Sequence, residues 1–444
     1  MPSSHSQSRS ATTRLGEHLT APPTLPPRQG RRLAWSASEG LTINTIQARR
    51  RLALFALFLL PGFAISSWVT RTPAIRDLLE ASPSEMGLVL LGLSAGSMAG
   101  ILASGPAVAR FGARPVMVAG TLGVILSMPT IGAGAGTASA AVIALGLFLF
   151  GLGMGGGEIA MNVEGADIEK AIQRPVLPAL HGFFSLGTVV GASLGILFTA
   201  LDVPVVWHLI SVGIIAVVVL LVAARSIPRG TGRVDRQAVV QPRSGASGAI
   251  WKDTRLLLIA AIVLAMALAE GTAGDWLPLV MVDGHGFGPA SGSAVYAIFA
   301  ASMTIGRFAG GTFILRFGRA PVLRVSIIAG AVGMALVIFV DSQWVAAAAV
   351  VLWGLGASLG FPVALSAAGE SGEDSARRVS LAATVGYVAF LVGPPVIGFF
   401  GEHYGLRAAL ILPLILVGAS ALLTSAVKER GNTPAEETEL VGRA

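Results

Sequence analysis

The chain has no cysteine among its 444 residues and few charged residues, with Asp, Glu, Lys and Arg making up 12% of the sequence. The lack of cysteine excludes disulfide bonds, thiolate metal sites and cysteine nucleophiles. The scarcity of charge and a mean hydropathy of +0.74 exclude soluble proteins and indicate an integral membrane protein. No P-loop and no hydrolase motif occurs, so we expect no ATP-driven pump, no enzyme, no cofactor and no metal site.

Long stretches contain no Asp, Glu, Lys or Arg at all, among them 116–157, 342–369 and 408–427. A helix of about 20 apolar residues crosses the hydrocarbon core, and only helices and closed barrels satisfy their backbone groups there. The stretches lack the polar and apolar alternation of barrel strands. The sequence therefore predicts an all-α membrane protein with twelve transmembrane helices.

The basic residues are concentrated in the two tails and in alternate loops, above all in 225–254 between the sixth and seventh spans. The loops on the other side hold only Arg71, Arg76 and Arg407. Positive charge accumulates on the cytoplasmic side of membrane proteins, so we expect both termini in the cytoplasm and the chain in a bacterial inner or plasma membrane. The net charge of +7 then indicates topology, and we expect the lipid bilayer and no nucleic acid as a partner.

The sequence contains an internal repeat. A loop with Gly105, Arg110 and Gly112 recurs at an offset of 206 residues, and its second copy contains Gly311, Arg316 and Gly318. Further matches link the glycines of the fourth span with those of the tenth, and Ser67-Trp68 with Asp275-Trp276. A repeat of this length predicts two pseudo-symmetric six-helix halves.

The repeat and the composition together predict the domain organisation. The predicted parts are a disordered cytoplasmic tail over 1–50, a first half over 51–224, a cytoplasmic linker over 225–254, a second half over 255–428 and a cytoplasmic tail over 429–444. Small residues at every fourth position of spans two and five allow close helix packing. They indicate either sliding surfaces between the halves or static packing.

Two parallel six-helix repeats joined by a cytoplasmic linker resemble the major facilitator superfamily. The Gly-x4-Arg-x-Gly loop resembles the signature that this family carries between its second and third helices. One position departs from the signature, because the residue before Arg110 is Ala109 and the second copy has Leu315. The charge relay of the usual aspartate is therefore not expected here. The resemblance covers about 50–428 and implies a secondary transporter of a small-molecule substrate, which we expect to be a monomer.

Ionisable residues within the spans are costly and indicate function. Glu158 is the strongest candidate, since it follows a run of glycines in an uncharged helix and shares a helix face with Asn162. We expect Glu158 to carry a proton, with a purely structural hydrogen bond to a neighbouring helix as the alternative.

The stretch from Gly151 to Asn162 resembles helix four of the fucose:proton symporter branch, in which the glutamate is linked to proton handling. His181-Gly-Phe-Phe-Ser185 resembles helix five of that branch, and the stretch from Gly356 to Ser366 resembles helix ten. The aspartate that this branch carries in helix one is replaced by Val69. Half of the usual carboxyl pair is therefore missing from this chain.

Other polar and aromatic residues are candidates for a substrate site. We expect Arg71 to pair with Glu270 or Asp275, either as a gate and substrate anchor or as a static pair near the headgroups. His181 is a candidate for proton transfer or a packed structural residue. The aromatic candidates that stack on a ligand are Trp68, Trp276 and Tyr387. For Arg307 we expect a structural role with its side chain extending towards the inner loop.

The sequence predicts a proton-coupled symporter that moves a sugar-like or other polar solute by alternating access. Two alternatives remain open, which are a proton-coupled exporter of a drug or metabolite and a membrane receptor that transports nothing.

Overall fold

The computed structural model describes residues 27–172, 176–233, 250, 252–372 and 374–428, with side chains from residue 45 onward other than those of 178 and 376. The chain forms two units, 1–46 and 47–444, and the contacts reported below lie in the second. The first tail lies partly outside the described residues and partly on the first helix. The second tail lies outside them, as does most of the linker. The boundaries predicted for these segments stay predictions.

Twelve described helical segments are long and apolar enough to cross a membrane, which confirms the predicted fold class. In order they are Thr45–Val69, Pro83–Phe111, Ala113–Gly136, Ala140–Ile172, Ala179–Ala200, Val205–Ser226, Thr254–Gly284, Pro289–Phe317, Arg319–Phe339, Gln343–Gly369, Arg377–Tyr404 and Leu406–Val427. We number them spans one to twelve. Because twelve is even, Arg50 near the start of span one and Val427 at the end of span twelve lie at the same end of the bundle, which we call the terminal side, and the other end is the opposite side.

The helices do not coincide with the spans everywhere: some spans are parts of longer helices, and others are divided into shorter helical segments. Span one is the end of a helix over Pro27–Val69, span five belongs to Leu177–Ala200, and span eleven belongs to Ser375–Tyr404. Span six is Val205–Ala223 followed by a short 3₁₀ turn, and span seven is Thr254–Leu279 followed by the π-helical turn Val280–Gly284. Span ten is divided into Gln343–Ala357 and Gly360–Gly369, and span twelve into Leu406–Ala409, Ile411–Ser420 and Ala421–Val427. A short helix, Thr72–Leu79, lies between spans one and two.

Many large apolar side chains have no protein neighbours that cover them. Val222 is 65% exposed, Phe339 is 64% exposed and Leu422 is 80% exposed. In water such surface would be unfavourable, whereas lipid tails cover it without cost. The exposed apolar surface therefore fits a protein surrounded by hydrocarbon.

The two copies of the repeated loop have the same backbone conformation. Gly112 ends span two with φ +87° and Gly318 ends span eight with φ +81°, and both donate their N–H to a carbonyl of the preceding turn. This positive φ favours glycine over residues with a Cβ. The second glycine of the motif, Gly112 in one copy and Gly318 in the other, is thus explained by the turn that leads into the next span.

The arginines of the repeated loops also have equivalent contacts. The Arg110 guanidinium lies 5.1 Å from the ring centre of Phe111, and that of Arg316 lies 5.3 Å from Phe317. These distances fit cation–π contacts. The first glycines of the motif, Gly105 and Gly311, face open space.

The small residues of spans two and five pack within the first half. A Cβ at Gly92, Gly96 or Gly100 would collide with the backbone of span four, and one at Gly187 or Gly191 would collide with span one. The interpretation of these stripes as sliding surfaces between the halves is therefore wrong. They allow backbones of the same half to approach closely.

A buried ion pair joins spans one and four near the terminal side. Arg50 contacts Glu164 at 2.6 Å and Asp167 at 2.7 Å, and the Glu164 side chain is fully buried. Arg50 therefore neutralises the Glu164 carboxylate inside the protein.

Candidate functional site

A charged cluster lies where the two halves meet, and we call it the central cluster. The second half contributes Glu270 from span seven and Arg307 from span eight, whose Oε1 and guanidinium nitrogen are 2.7 Å apart. The first half contributes Glu158 from span four and His181 from span five, and both interact electrostatically with Arg307. The predicted structural role of Arg307 is therefore incomplete, since its side chain stays in the centre and interacts with groups of both halves.

The cluster holds two carboxylates and one guanidinium. Arg307 makes its hydrogen bond to Glu270, while its interaction with Glu158 acts through space. The side chains of Arg307 and Glu270 are 29% and 24% exposed, so both retain some access to solvent. Two acids that share one base leave one negative charge without a partner, which a proton or a cationic ligand can neutralise.

The surroundings of Glu158 come from several helices. Tyr387 of span eleven interacts with it electrostatically, and Asn162 lies one helical turn further along span four. The Asn162 Oδ1 atom is buried and has no hydrogen-bond partner among the described residues. Glu158 itself is partly exposed. A partly accessible carboxyl group beside an unsatisfied amide oxygen is suited to exchange a proton and to contact a polar solute.

The glycines that precede Glu158 pack closely against two neighbouring spans. A Cβ at Gly151 or Gly155 would collide with span two at Ser97, and a Cβ at Gly153 would collide with span three at Gly120. The glycine run therefore anchors span four against two neighbours. This packing fixes the position of the carboxyl group that follows it.

His181 lies near the start of span five and is exposed. Its ring packs edge-on against Phe58, with 5.4 Å between ring centres. Phe308 of the second half packs against Gly182, the next residue of span five. His181 thus lies on the terminal side of the central cluster, in reach of solvent from that side.

Arg71 does not form the predicted pair with Glu270 or Asp275. Its guanidinium donates to Thr199 Oγ1 at 2.8 Å and to the carbonyl oxygen of Val203, both in its own half. Arg71 is 3% exposed, and burial lowers its pKa from the ordinary value. The prediction of an ion pair was wrong because the side chain extends towards spans five and six, while Glu270 already contacts Arg307.

The two predicted tryptophans are enclosed. Trp68 is 1% exposed and Trp276 is 0% exposed. Neither ring has a face available to a ligand in this conformation. Tyr387 is partly exposed, and it is the aromatic candidate that lies near the central cluster.

Asp275 lies on span seven, closer to the opposite side than Glu270. Among the described residues no hydrogen bond or ion pair involves its carboxylate. Tyr296 of span eight interacts electrostatically with both Asp275 and Glu270. Asp275 therefore forms part of the same polar region as the central cluster, one and a half helical turns further along.

Contacts between the halves close the bundle at the opposite side. Ser293 Oγ donates to the Thr70 carbonyl oxygen at 2.8 Å, and Ser84 donates its backbone N–H to Glu402. A Cβ at Gly87 would lie 2.8 Å from the Pro394 carbonyl oxygen, so spans two and eleven touch through their backbones.

An ion pair adds to this closure. Arg76 of the first half contacts Asp283 of the second. Burial acts to lower the pKa of Arg76, but hydrogen bonds to Asp283 and Asp77 outweigh burial and raise the pKa above its ordinary value. The opposite-side closure is the name we give to these contacts between the halves, which involve Ser293, Ser84, Gly87 and Arg76.

Comparisons with known proteins identify relatives along nearly the whole chain. The family model described as Major Facilitator Superfamily matches residues 53–374 and 298–442. An uncharacterised MFS-type transporter of Yersinia pestis is 30% identical over 380 residues, which are 84% of this chain and 94% of the relative. The membrane protein MosC of Rhizobium meliloti is 24% identical over 380 residues, which are 84% of this chain and 88% of the relative.

Solved structures of transporters have the same fold. A mutant of the nucleoside transporter NupG superposes with a TM-score of 0.68 at 14% identity, covering 86% of this chain and 100% of that one. The fucose:proton symporter FucP of E. coli, in the outward conformation, superposes with a TM-score of 0.59 at 16% identity, covering 86% and 99%.

Proposed function

Because the chain belongs to the Major Facilitator Superfamily and is a secondary transporter of small solutes, we propose that its transport is coupled to protons and that Glu158 carries the proton. The observation that supports this proposal is the sharing of Arg307 between two carboxylates. Glu158 comes from one half and Glu270 from the other.

The charge of Glu158 would alter the attraction between the halves. When Glu158 is protonated, Arg307 is neutralised by Glu270 within the second half, and little electrostatic attraction joins the halves in the centre. When Glu158 loses its proton, its carboxylate competes with Glu270 for the guanidinium across the interface. Proton release to water on the terminal side and a change in the relative position of the halves are then one coupled event.

His181 and the polar neighbours complete the proposed mechanism. His181 is exposed on the terminal side of the cluster, where a neutral imidazole accepts the proton that leaves Glu158 and passes it to water. Asn162 and Tyr387 lie beside Glu158 and bind the solute, which is sugar-like or another polar metabolite. NupG and FucP, which share the fold, transport a nucleoside and fucose by their names, and this agrees with a polar solute.

We also propose that the terminal side is cytoplasmic. Among the arginines and lysines of the described residues, Arg71, Arg76 and Arg407 lie on the opposite side, and most of the others lie on the terminal side. This asymmetry supports an inner or plasma membrane location with cytoplasmic termini. A tag at the C-terminus that is accessible in intact cells would contradict this orientation.

The proton coupling is tested with purified protein in liposomes that contain a pH-sensitive dye. Sugars, nucleosides and polyols are added outside one at a time, and a transported solute is expected to acidify the interior. Glu158→Gln should then lose at least nine-tenths of the pH-driven uptake while solute exchange without a gradient continues, since exchange needs no net proton movement.

The matched control is Glu80→Gln, which changes an exposed glutamate on the opposite side and should leave pH-driven uptake intact. Uptake that still follows the pH gradient in Glu158→Gln would remove Glu158 from the mechanism. Equal loss of exchange and of uptake would assign Glu158 to solute binding instead of coupling.

A further inference from the structure

We propose that Asp275, together with the hydroxyl groups of Ser66, Thr272 and Tyr296, binds the protonated amino group of the transported solute. This inference rests on the proposed function, since it assigns a substrate class to the same transport pathway. It adds a second site beside the central cluster, which we call the amine site.

The carboxylate of Asp275 has no partner of its own. Among the described residues it makes no ion pair and no hydrogen bond, in contrast to Glu270, which contacts Arg307 at 2.7 Å. Asp275 is partly exposed, and a Cβ at the neighbouring Gly274 would have no atom within 4 Å. An unpaired carboxylate at this depth is costly unless a proton or a cation neutralises it, and the open space beside Gly274 provides room for a cationic group attached to a larger solute.

Two hydroxyl groups near Asp275 are buried, and one of them has no partner. Ser66 is 0% exposed and Thr272 is 3% exposed. Within the described part of the chain, the Thr272 hydroxyl has no hydrogen-bond partner, and the Ser66 hydroxyl pairs with that of Tyr296. Thr272 precedes Asp275 by one helical turn, and the Tyr296 hydroxyl lies beside Ser66 and interacts electrostatically with Asp275. A buried hydroxyl group without a partner costs free energy, so Thr272 beside the unpaired Asp275 indicates that a polar ligand completes the site.

The chemistry of these four groups fits an ammonium group. An ammonium nitrogen has three N–H donors and no acceptor. The carboxylate accepts one of them with charge assistance, and the hydroxyl oxygens accept the others. A neutral hydroxyl group on the solute would leave the Asp275 charge without compensation, and an anionic solute would be repelled.

The charge of the whole region favours a cation as well. Among the described residues, Glu158 and Glu270 interact with one cation, Arg307, which is hydrogen-bonded to Glu270, and Asp275 has no ion-pair partner. A cleft with excess negative charge and apolar walls concentrates cations. Proton transfer at Glu158 and cation binding at Asp275 therefore use separate carboxylates.

The amine site contains residues of both halves. Ser66 belongs to span one, Thr272 and Asp275 to span seven and Tyr296 to span eight. The hydrogen bond from Ser293 to the Thr70 carbonyl oxygen lies about one helical turn from the amine site, towards the opposite side. Ser293 precedes Tyr296 on span eight, and Thr70 follows Ser66 directly after span one. An amino group held between Ser66 and Asp275 would favour the closed opposite side, so recognition of the solute would promote closure behind it.

The test measures binding to the full-length protein in detergent, without a membrane or a gradient, so that its result does not depend on proton coupling. Thermal unfolding is followed with glucosamine, N-acetylglucosamine and glucose, and with further amines, each beside its N-acetylated derivative. Amines should raise the unfolding midpoint while their acetylated counterparts should not. For the best amine, Asp275→Asn should weaken binding at least tenfold, and Ser66→Ala or Thr272→Val should weaken it several-fold.

Asp341→Asn is the matched control, because the Asp341 side chain is 92% exposed and lies on the opposite side of the bundle. This variant should bind the amine like the parent protein. If Asp275→Asn fails to fold, the two hydroxyl variants decide the result. Stabilisation by neutral or acidic compounds instead of amines, or by no compound of the panel, would overturn the proposal. So would an Asp275-dependent shift produced by NaCl and not by choline chloride, because it would assign the site to an alkali-metal ion.

Discussion

Arg307 is one guanidinium between two carboxylates, and its surroundings determine what happens when it is removed. Without Arg307, Glu270 loses its hydrogen-bonded partner at 2.7 Å, and Glu158 loses the cation that interacts with it. Both carboxyl groups then remain in a region with little water. A residue that neutralises two acids should therefore affect stability as well as transport.

Arg307→Gln is expected to destabilise the protein by roughly 2 kcal/mol, less than the cost of breaking a fully buried pair, because the partners keep some solvent access. The double variant Arg307→Gln with Glu270→Gln should recover part of this loss, since Glu270 no longer carries an unpaired charge and only Glu158 remains without its cation. Thermal unfolding in detergent measures both. If the double variant is less stable than the single one, the pair does not exist as described.

The sequence identified the candidate acids but not their partners. Glu158 and Glu270 are recognisable because charge is rare in the spans. Which cation neutralises Glu270 depends on how span seven faces span eight, and hydropathy carries no information on helix rotation. The prediction for Arg71 failed for the same reason, because the direction of its side chain depends on spans five and six. Trp68 and Trp276 were selected by residue type, whereas their burial depends on neighbouring helices.

At the scale of the helices, glycine determines how closely neighbouring spans approach. Gly96 touches the backbone of span four at Phe148, whereas Gly105, further along span two, has no atom within 4 Å of an added Cβ. The two glycines lie on one helix and differ only in their surroundings. They therefore provide a direct test of close packing.

Gly96→Ala is expected to lower stability by about 1–3 kcal/mol, the usual cost of overpacking a core. Gly105→Ala should be neutral or slightly stabilising, because alanine favours the helix. The amount of folded protein recovered after mild heating distinguishes the two variants. Equal behaviour would show that span two does not touch span four at Gly96.

An ion pair on the terminal side makes stability depend on pH. Arg319 at the start of span nine donates two hydrogen bonds to Glu370 after span ten, and they lower the pKa of Glu370 below its ordinary value of 4.5. The pair therefore contributes stability above pH 4.5, and this contribution is lost as the pH falls through the lowered pKa. Because Glu370 is about half exposed, the effect should stay below about 1 kcal/mol.

Glu370→Gln removes this contribution at every pH. Its unfolding midpoint should lie below that of the parent protein at pH 7, and the difference should shrink when both are measured near pH 3. A difference that is constant over this range would show that the carboxylate of Glu370 is not stabilised by Arg319.

At the scale of the whole molecule, the described conformation is closed on the opposite side by contacts between the halves. Arg76 and Asp283 supply the charged part of the closure, and Ser293 and Thr70 supply a neutral hydrogen bond. Two-state transporters move when contacts at one end become weaker than those at the other. Removal of the ion pair should therefore shift the population towards a state open to the opposite side.

The shift can be measured with a single cysteine, because the natural chain contains none. Gly274→Cys places a thiol in the open space beside Asp275. In intact cells its labelling by an impermeant maleimide should rise several-fold when Asp283→Asn is added. Asp202→Asn, an exposed aspartate on the same side, should not change it. Unchanged labelling with Asp283→Asn would show that the ion pair does not hold the halves together.

Most of the fold could be predicted from the sequence, because hydrocarbon demands uninterrupted apolar helices. The twelve spans and the repeated loop follow from charge and glycine positions alone. The conformational state could not be predicted, since two arrangements of the same halves satisfy the same hydropathy pattern. The contacts of Thr70, Arg76, Ser84 and Gly87 with the second half reveal which end is closed.

The contact of Gly87 with the backbone of span eleven at Pro394 has a consequence for ion leakage. Backbone meets backbone there, so no side chain exists that could rotate away and briefly admit a water molecule or an ion. A passage at this point requires two entire helices to separate, which is slow compared with side-chain motion. A membrane that contains many copies of this protein at rest should therefore keep its electrical potential.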